Sequence, residues 1–342
     1  MVERHLDADV VVVGGGPAGS AAAIACASRG LHVVLLERDG FADERPGETL
    51  HPGVEPLLAQ LGLSERLPAV IGARHEGIWI EWGSPRRYEP FGADGDGPWS
   101  GMQVSRAHFD SLLLARAREL GVDVRQPCAV TAPLLGDAKL NGVMTNEGPV
   151  VAHLVVDGSG RARWLGRALG VDSPSRSPRL IVRYGYMEGA CPERDAAPAL
   201  VADQTGWTWT ARVSDRKYQW TRLDFGAVPD ADWLPEEFRA LTPLSRTRGA
   251  DMTWRMADRA AGPGWFMVGD AAAILDPTSS RGVLKALMTG VMAGHLIAGV
   301  LQGKAPADEA ARAYHAWIAD WFETDVRNLT AFYRMLKSSL FA

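Results

Sequence analysis

The residues with the clearest chemical potential form a glycine-rich turn near the N-terminus. Gly14, Gly16 and Gly19 have the spacing G-x-G-x-x-G. The first glycine permits a tight turn, the second lets backbone N–H groups approach a pyrophosphate, and the third lets a helix lie close to its strand. The positive end of that helix faces the anion. Glu37 follows about 20 residues later, where a carboxylate can bind an adenosine ribose. The pattern predicts a dinucleotide site.

The elements around this turn have the order that such a site needs. Asp9 to Val13 is an apolar strand, 20–28 reads as a helix of small residues, and 31–36 reads as a second strand. Together they predict a βαβ unit in a parallel sheet. Residues 179–225 read instead as antiparallel strands, with a hairpin of 207–213 and 217–225. Strand-rich blocks interrupt the α/β pattern, so we expect the cofactor domain to be discontinuous.

Composition excludes several classes of protein. The chain has 342 residues, a net charge of −5 and no run of Lys or Arg, so we expect no nucleic-acid partner. No window approaches the roughly 20 apolar residues of a membrane span, and the charged N-terminus argues against a secretory signal, so we expect a cytoplasmic protein. The three cysteines are far apart and show no metal-ligand spacing.

Four motifs occur in the order of one flavoprotein superfamily. They are the glycine-rich turn, Val104-Ser105-Arg106 at the start of a helix, Asp157-Gly158, and Gly269-Asp270 after a short strand. Over nearly its whole length the chain resembles the FAD-dependent aromatic hydroxylases and halogenases. The resemblance implies FAD as cofactor, with Arg106 at its phosphates and Asp270 at ribityl or pyrophosphate oxygens. Gly282 and Val283 would lie beside the isoalloxazine ring, where a helix N-terminus suits the anionic reduced flavin.

The resemblance also implies a fold and a division of the chain. We expect an α/β protein with a Rossmann-type FAD-binding domain of the glutathione-reductase-like, aromatic hydroxylase type, an inserted antiparallel-sheet substrate domain and C-terminal helices. The expected FAD-binding domain comprises residues 1–70, 100–175 and 260–304, the substrate domain 71–99 and 176–259, and the C-terminal helices 305–342. Two further arginines are candidate cofactor contacts, although an exposed loop position explains the second equally well: Arg38 and Arg45.

Three stretches are similar to the flavin-dependent halogenases. They are the G-E-T-L-H-P element at 47–52, the segment 269–283, and Gly206-Trp207-Thr208-Trp209. Two departures argue against halogenation. A halogenase needs a lysine in a K-x-G element, and this chain has His75-Glu76-Gly77 there, with no lysine between residues 40 and 100. The expected I-P after the second tryptophan is replaced by Ala211-Arg212.

Lysine-free relatives of similar size point to a different substrate. Trp82-Gly83-Ser84 and the segment 279–287 look most like flavoproteins that hydroxylate a tryptophan within a partner protein to build cysteine tryptophylquinone. The resemblance thus implies an FAD-dependent monooxygenase that hydroxylates an aromatic ring through a flavin C4a-hydroperoxide. Dioxygen would be the cosubstrate, and NAD(P)H would reduce the flavin directly or through a separate reductase. The expected partner is a protein or peptide substrate.

Other functions stay open at this point. A monooxygenase acting on a free aromatic metabolite and a flavin-dependent halogenase are the nearest alternatives. A flavin-dependent reductase or saturase of isoprenoid chains and an assembly factor that holds FAD without catalysis are more distant ones. A nicotinamide dehydrogenase is disfavoured, because Gly269-Asp270 would then have no role.

The candidate catalytic groups are histidines, and the candidate substrate pocket is aromatic. His75 could act as a general base, since the usual pKa of histidine suits proton transfer near neutral pH, and His51 lies in the element expected near the flavin. The chain has 12 Trp. Three of them are candidates for lining the pocket, although packing in the core is the alternative: Trp79, Trp207 and Trp209. The aromatic stripe of the last helix, which includes Trp317 and Phe332, indicates core packing first and a docking surface second.

Overall fold

The computed structural model describes residues 6–41, 45–136, 139–226, 232–279, 281–336 and 341. Ser280, within the segment 279–287, lies outside these residues, as do 337–340 and 342 of the expected C-terminal helices at 305–342. The described α-helices are α1 (Pro17–Ala27), α2 (Val54–Gln60), α3 (Arg106–Glu119), α4 (Trp164–Ala168), α5 (Pro192–Asp195), α6 (Gly282–Leu301) and α7 (Ala307–Arg334).

The described strands form two large sheets and three small ones. They are β1 (Ala8–Val13), β2 (Val33–Leu36), β3 (Thr49–Leu50), β4 (Ile71–His75), β5 (Gly77–Glu81), β6 (Arg87–Pro90), β7 (Ala93–Asp94), β8 (Gly97–Pro98), β9 (Gly101–Val104), β10 (Asp123–Arg125), β11 (Val130–Gly136), β12 (Lys139–Thr145), β13 (Gly148–Asp157), β14 (Ile181–Glu188), β15 (Ala199–Asp203), β16 (Gly206–Ser214), β17 (Lys217–Asp224), β18 (Thr242–Pro243), β19 (Arg248–Asp251), β20 (Arg255–Met256), β21 (Ala261–Gly262), β22 (Trp265–Met267) and β23 (Ala273–Ile274).

The first large sheet carries the predicted βαβ unit. Its strands follow the order β10-β2-β1-β13-β12-β11, and β22 pairs with β13. Strand β1 runs parallel to β2 and to β13, and β13 runs parallel to β22. Val10, Val11 and Val12 are completely buried, as expected of a central parallel strand covered on both faces. The Rossmann-type FAD-binding fold predicted from the sequence is confirmed.

The second large sheet is predominantly antiparallel, with the order β18-β14-β17-β16-β15-β5-β6, and β19 pairs with β14. The hairpin of β16 and β17 lies where the sequence predicts one. A three-stranded sheet of β3, β9 and β4 connects the two parts of the molecule. Strand β9 leads into α3, and β4 contacts β16 of the second large sheet. The expected combination of α/β and antiparallel layers is therefore present.

Several local predictions differ from the structure. Strands β11 and β12 extend the first sheet as an antiparallel hairpin that the sequence reading did not anticipate. The Gly- and Asp-rich stretch at 94–98 predicts a loop, and in the structure it contains the short strand pair β7 and β8. The sequence pattern predicts a helix over 54–67 that stops before Pro68. In the structure this helix ends at Gln60, because Gly62 has a φ of +75° and terminates the turn.

Helix α6 is long and apolar enough to cross a membrane by length and composition, with a mean hydropathy of 1.6, which corrects the expectation that no segment meets that criterion. In this structure 44% of its most apolar window is buried. Gly290 and Gly294 bring α6 against α1: a Cβ on Gly294 would lie 3.1 Å from the Ala22 carbonyl oxygen. The small residues of α1 thus pack against an apolar helix inside the protein.

Candidate cofactor site and catalytic residues

The glycine-rich turn has a backbone that side chains would block. Gly14 has a φ of +100°, and a Cβ there would overlap the carbonyl oxygen of Gly158. A Cβ on Gly19 would overlap the carbonyl oxygen of Gly14, so α1 can approach the turn only with glycine there. Gly16 is different, since a Cβ there would meet no protein atom within 4 Å. Two glycines serve the fold, and the third leaves open space at the N-terminus of α1.

Asp157 and Gly158 hold this turn from the neighbouring strand. The Asp157 side chain is fully buried and accepts hydrogen bonds from the backbone N–H groups of Ser159 (2.9 Å) and Leu165 (2.9 Å). Burial raises the pKa of Asp157, and these hydrogen bonds lower it. The N–H of Gly158 donates to the carbonyl of Val13 at 2.8 Å. This motif, quoted above only for its place in the superfamily, has a structural role at the cofactor turn.

Glu37 also supports the turn. Its Oε2 accepts a hydrogen bond from the N–H of Gly15 at 2.6 Å, and its Oε1 accepts one from the N–H of Asp39 at 3.1 Å. The structure therefore places the carboxylate beside the glycine turn, as the sequence predicts, while its contact with a ribose stays a prediction. Arg38 is 75% exposed and pairs with Asp39 at 2.7 Å, so its role in cofactor binding also stays a prediction.

Arg106 is engaged with the protein and holds the loop at 45–48. Its guanidinium makes two bonds to Asp110, at 3.1 and 3.0 Å, and one to the Pro46 carbonyl at 2.7 Å. Arg45 reaches the same carboxylate at 3.2 Å. Gly47 has a φ of +102°, and a Cβ there would lie 2.6 Å from Nη1 of Arg106. The direct action of both arginines seen here is to position this loop, and their contact with FAD phosphates stays a prediction.

Gly269 and Asp270 lie where the first sheet meets α1 and α6. Gly269 has a φ of +59°, donates its N–H to Thr289 Oγ1 at 2.9 Å, and leaves no room for a Cβ, which would lie 2.8 Å from that of Ala18. Burial raises the pKa of Asp270, while nearby Arg161 and Arg106 lower it. Arg161 was not selected from the sequence, although its position directly after 157–160 was an available signal.

The N-terminus of α6 is open, as is that of α1. A Cβ on Gly282 would meet no protein atom within 4 Å, and neither helix has an acidic residue in its first turn. Val283 is buried, and its side chain lies near Gly47, which connects α6 to the 45–48 loop. These features fit a dinucleotide with a diphosphate at one end and an anionic ring at the other. They are two uncapped helix N-termini, two glycine positions that face open space, and the Asp270 carboxylate. The residues present thus fit FAD.

The two candidate histidines both pack against Phe91, with ring centroids 5.5 Å away for His75 and 6.0 Å for His51. His75 is 4% exposed, and burial lowers its pKa to about 4, so the imidazole is neutral at pH 7. Neither ring nitrogen of His75 has a hydrogen-bond partner among the described residues. His51 accepts the N–H of Gly53 through Nδ1 at 3.0 Å, and burial followed by the charge of Arg281 lowers its pKa. Their catalytic roles stay predictions.

Glu48 is a further titratable group that the sequence reading did not select. It is 5% exposed, accepts a hydrogen bond from the hydroxyl of Tyr186 on β14, and lies in the G-E-T-L-H-P element. Burial raises the pKa of Glu48 to about 7, although the tyrosine and Arg106 act in the opposite direction. A carboxyl group with such a pKa can hold or release a proton near neutrality.

Trp207 belongs to a buried hydrogen-bond network. It is fully buried, and its indole N–H donates to the Tyr333 hydroxyl at 2.8 Å. Tyr333 donates to Asp276 Oδ2 at 3.1 Å, and the indole N–H of Trp254 donates to the same oxygen at 2.6 Å. The N–H of Thr278 donates to the other carboxylate oxygen at 2.9 Å. An aspartate before a proline, as in Asp276-Pro277, predicts a turn that leads into a helix. In the structure Asp276 also joins β16 and α7 to the entry of α6.

The other candidate pocket residues are partly buried. Trp79 meets Tyr88 edge-on at 5.3 Å, and Trp209 packs against the main core. Lining of a substrate pocket by Trp79, Trp207 and Trp209 stays a prediction, and the observed packing assigns Trp207 to the core. The aromatic stripe of α7 also packs inward, because Phe322 and Tyr333 are fully buried and Phe332 stacks on Trp82 at 4.0 Å. No group of His, Cys, Asp and Glu side chains within the described ranges could hold a metal.

Comparison with known proteins places the chain in one family. Residues 7–188 match the FAD binding domain family and residues 99–339 match the tryptophan halogenase family. The chain is 30% identical to the flavin-dependent halogenase armH3 of Armillaria mellea, over 91% of this chain and 71% of that protein. It is 26% identical to a tryptophan 2-halogenase of Chondromyces crocatus, over 95% and 69% of the two chains.

A solved structure agrees with these sequence relatives. The myxobacterial chondrochloren halogenase CndH superimposes with a TM-score of 0.89 at 26% identity, covering 98% of this chain and 85% of the other. The expectation of FAD as cofactor is thus supported by the matched domain, the fold and the open space at the N-termini of α1 and α6. The protein belongs to the tryptophan halogenase family of FAD-dependent enzymes.

Proposed function

We propose that the protein is a flavin-dependent halogenase that acts on an electron-rich aromatic ring. The observation that carries this proposal is that two halogenases, armH3 and CndH, match at least nine tenths of the chain. The chain's own glycines leave open space at the N-termini of α1 and α6, where the cofactor would lie. When bound and reduced, FAD would activate dioxygen and so oxidise a halide to an electrophilic halogen species. The net reaction replaces an aromatic C–H bond with a carbon–halogen bond and reduces dioxygen to two molecules of water. Two of the four electrons come from the halide and the C–H bond, and the other two would come from the reduced flavin.

The chain's own residues would contribute to this reaction by excluding water and by accepting a proton at either of two side chains. His75 is 4% exposed, so water is excluded from its imidazole, and exclusion of water protects an electrophilic species from hydrolysis. His75 is a neutral imidazole, and a neutral imidazole can donate one N–H and accept one proton. Glu48, paired with Tyr186, is a second group able to take the proton that leaves the ring.

A specific observation favours a second candidate, hydroxylation of an aromatic ring. The sequence has no lysine between residues 40 and 100, and the family's lysine element reads His75-Glu76-Gly77 here. Without an ammonium group to hold hypohalous acid, oxygen itself can be the atom transferred to the ring. The substrate of this alternative would be a tryptophan side chain in a partner protein or peptide, or a free aromatic metabolite. Electrons would come from NAD(P)H, directly or through a reductase.

One experiment separates the two candidates. The FAD-loaded protein is supplied with a flavin-reducing system, dioxygen, bromide and a panel of free indoles, pyrroles, phenols and tryptophan-containing peptides, and the products are read by mass spectrometry. Halogenation predicts a product with the bromine isotope doublet. Hydroxylation predicts the gain of one or two oxygen atoms, with or without bromide.

Matched histidine variants test the site. We expect His75→Asn to lower the yield of halogenated product by at least about tenfold, the range of a lost acid–base or positioning group. The control, His108→Asn, alters an exposed histidine of α3 and should leave the yield unchanged. Oxygenated products that form equally well without halide would overturn the halogenase proposal in favour of the monooxygenase.

A further inference from the structure

A small, partly open cavity lies beside the residues expected to contact FAD. Its wall includes Gly269 and Asp270, which follow β22, and Gly282 and Lys285, which belong to α6. Trp321 of α7 forms part of the same wall. The resemblance stated above implies flavin contacts for Asp270 and Gly282. Lys285 and Trp321 therefore share a cavity with the expected cofactor contacts.

Lys285 is held on this wall by two groups of α7. Its ammonium contacts the carboxylate of Asp325, and it lies 3.5 Å from the centroid of the Trp321 ring, in a cation–π contact. The side chain of Lys285 is 16% exposed and that of Asp325 is 11% exposed. A lysine has a flexible four-carbon stem, so these two partners are what fix the position of its charge.

The ammonium lies near the first turn of α6. Side chains of a helix tilt toward its N-terminus, so Lys285 covers the turn that begins at Gly282. The structure agrees, because Arg281, the residue before α6, lies 3.8 Å from the same carboxylate, that of Asp325. Two positive side chains therefore lie at a helix end whose free N–H groups already carry partial positive charge.

The charges at this helix end do not cancel. The Asp325 carboxylate is shared by two cations, Lys285 and Arg281. Across the cavity, burial raises the pKa of Asp270, and its own neighbouring cations, Arg161 and Arg106, lower it. An anion at the N-terminus of α6 therefore meets an excess of positive charge.

Lys285 can carry its charge although it is largely buried. Burial, followed by the charge of Arg281, lowers its pKa to about 7. The carboxylate of Asp325, in contact with the ammonium, favours the charged form. Below about pH 7 the side chain is therefore a cation that solvent screens only weakly.

A fixed cation distinguishes the two redox states of a flavin. The ring of oxidised FAD is neutral, and the reduced ring is anionic near N1. A nearby positive charge stabilises the anion more than the neutral ring. By thermodynamic linkage, a protein that binds the reduced form more tightly also raises the reduction potential of the flavin.

We propose that Lys285, positioned by Asp325 and Trp321, makes the protein bind reduced FAD in preference to oxidised FAD and thereby raises the reduction potential of the bound flavin. Lys285 transfers neither halogen nor oxygen in this role. The inference therefore goes beyond the proposed function and applies equally to halogenation and to hydroxylation.

The test measures the midpoint potential of bound FAD, by anaerobic titration against a reference dye at about pH 6, where Lys285 is charged. Lys285→Met keeps an apolar chain of similar length and removes the charge. We expect the preference for reduced over oxidised FAD to fall by about tenfold, which lowers the two-electron midpoint potential by about 30 mV. The control is Lys304→Met, which alters an exposed lysine between α6 and α7 and should leave the potential unchanged.

Two further variants separate the effect of charge from that of packing. Lys285→Arg keeps a positive charge at the same position and should keep the potential of the wild type. The double variant Lys285→Arg, Asp325→Asn also removes the negative partner, so its potential should rise above that of the wild type. If Lys285 and Asp325 only tied α6 to α7, Lys285→Met and the double variant would both lower the melting temperature and leave the potential unchanged.

The outcomes are distinct from those that test the proposed function. An unchanged potential in Lys285→Met, or an equal shift in Lys304→Met, would overturn the inference. Should Lys285→Met take up no FAD, the potential of the double variant decides, and a value at or below that of the wild type would overturn it. A wild-type protein that forms neither halogenated nor oxygenated product would contradict the proposed function, while opposite shifts in Lys285→Met and the double variant would still support this role of Lys285.

Discussion

Two regions of this protein are rich in residues of unusual type, and they use them in opposite ways. Around the N-termini of α1 and α6, glycines remove side chains, and two of these positions face open space. Between β16 and α7, aromatic rings fill space: Trp82, Trp207 and Trp254 are completely buried together with Tyr333. The first region leaves space for a ligand, and the second is a densely packed core that leaves none.

The difference shows which sequence signals identify a site. A glycine at a position where a Cβ would strike the backbone reports a geometric requirement, and a glycine facing open space beside a helix N-terminus reports a place for a guest. A high tryptophan content reports only that large rings are present. The indole N–H groups of Trp207 and Trp254 donate to the buried side chains of Tyr333 and Asp276, so these two rings stabilise a core.

Truncation of a core tryptophan should have the largest effect. We expect Trp207→Ala to lower the free energy of unfolding by about 3–5 kcal/mol, because it leaves a cavity and removes the donor to Tyr333. Affinity for FAD in the protein that remains folded should not change. The comparison is made by denaturant unfolding with Trp99→Ala, which is 46% exposed and should stay within about 0.5 kcal/mol of the wild type. Loss of FAD affinity with normal stability would contradict the core role and assign Trp207 to cofactor binding.

Glu48 should give stability a dependence on pH. Its pKa is raised from 4.5 to about 7 in the folded protein, so the folded state binds the proton more tightly than the unfolded state does. This contribution is fully present below pH 4.5 and is lost as pH rises through about 7; a shift of this size corresponds to about 3 kcal/mol. Unfolding at about pH 5 and about pH 8 should show the loss in the wild type. Glu48→Gln should remove this part of it, and an unchanged dependence would refute the assignment.

Asp276 should link the aromatic region to the start of α6. The Asp276 carboxylate accepts hydrogen bonds from Trp254, Tyr333 and Thr278. Asp276→Asn replaces one of its oxygens with an NH2 group, which cannot accept them, so we expect a loss of about 1–3 kcal/mol in the free energy of unfolding. Asp258→Asn, at an exposed position, is the control. Because the network ends one turn before Gly282, we also expect a shift in the absorption spectrum of bound FAD. A stability loss with an unchanged flavin spectrum would confine Asp276 to the core.

The sequence predicts local elements better than it predicts contacts between distant segments. The turn at 14–19, the βαβ unit, the hairpin of β16 and β17 and helix α6 follow from local patterns with defined geometry. Strands β11 and β12 do not, since their pairing with β13 is a tertiary property. The role of Arg106 in holding Pro46 and the raised pKa of Glu48 were likewise out of reach, because both depend on partners distant in sequence.

The most direct test of the account is FAD binding by a matched pair of glycine variants. In the structure a Cβ on Gly16 or on Gly299 meets no protein atom within 4 Å. Gly16→Ala should therefore leave the melting temperature of the FAD-free protein unchanged, and Gly299→Ala, inside α6, should raise it slightly because alanine favours the helix. Equilibrium dialysis with FAD should show Gly16→Ala weakened by about tenfold or more, equivalent to about 1.4 kcal/mol, and Gly299→Ala unchanged. Equal FAD affinity in the wild type and Gly16→Ala, or a wild-type protein that takes up no FAD, would contradict the account.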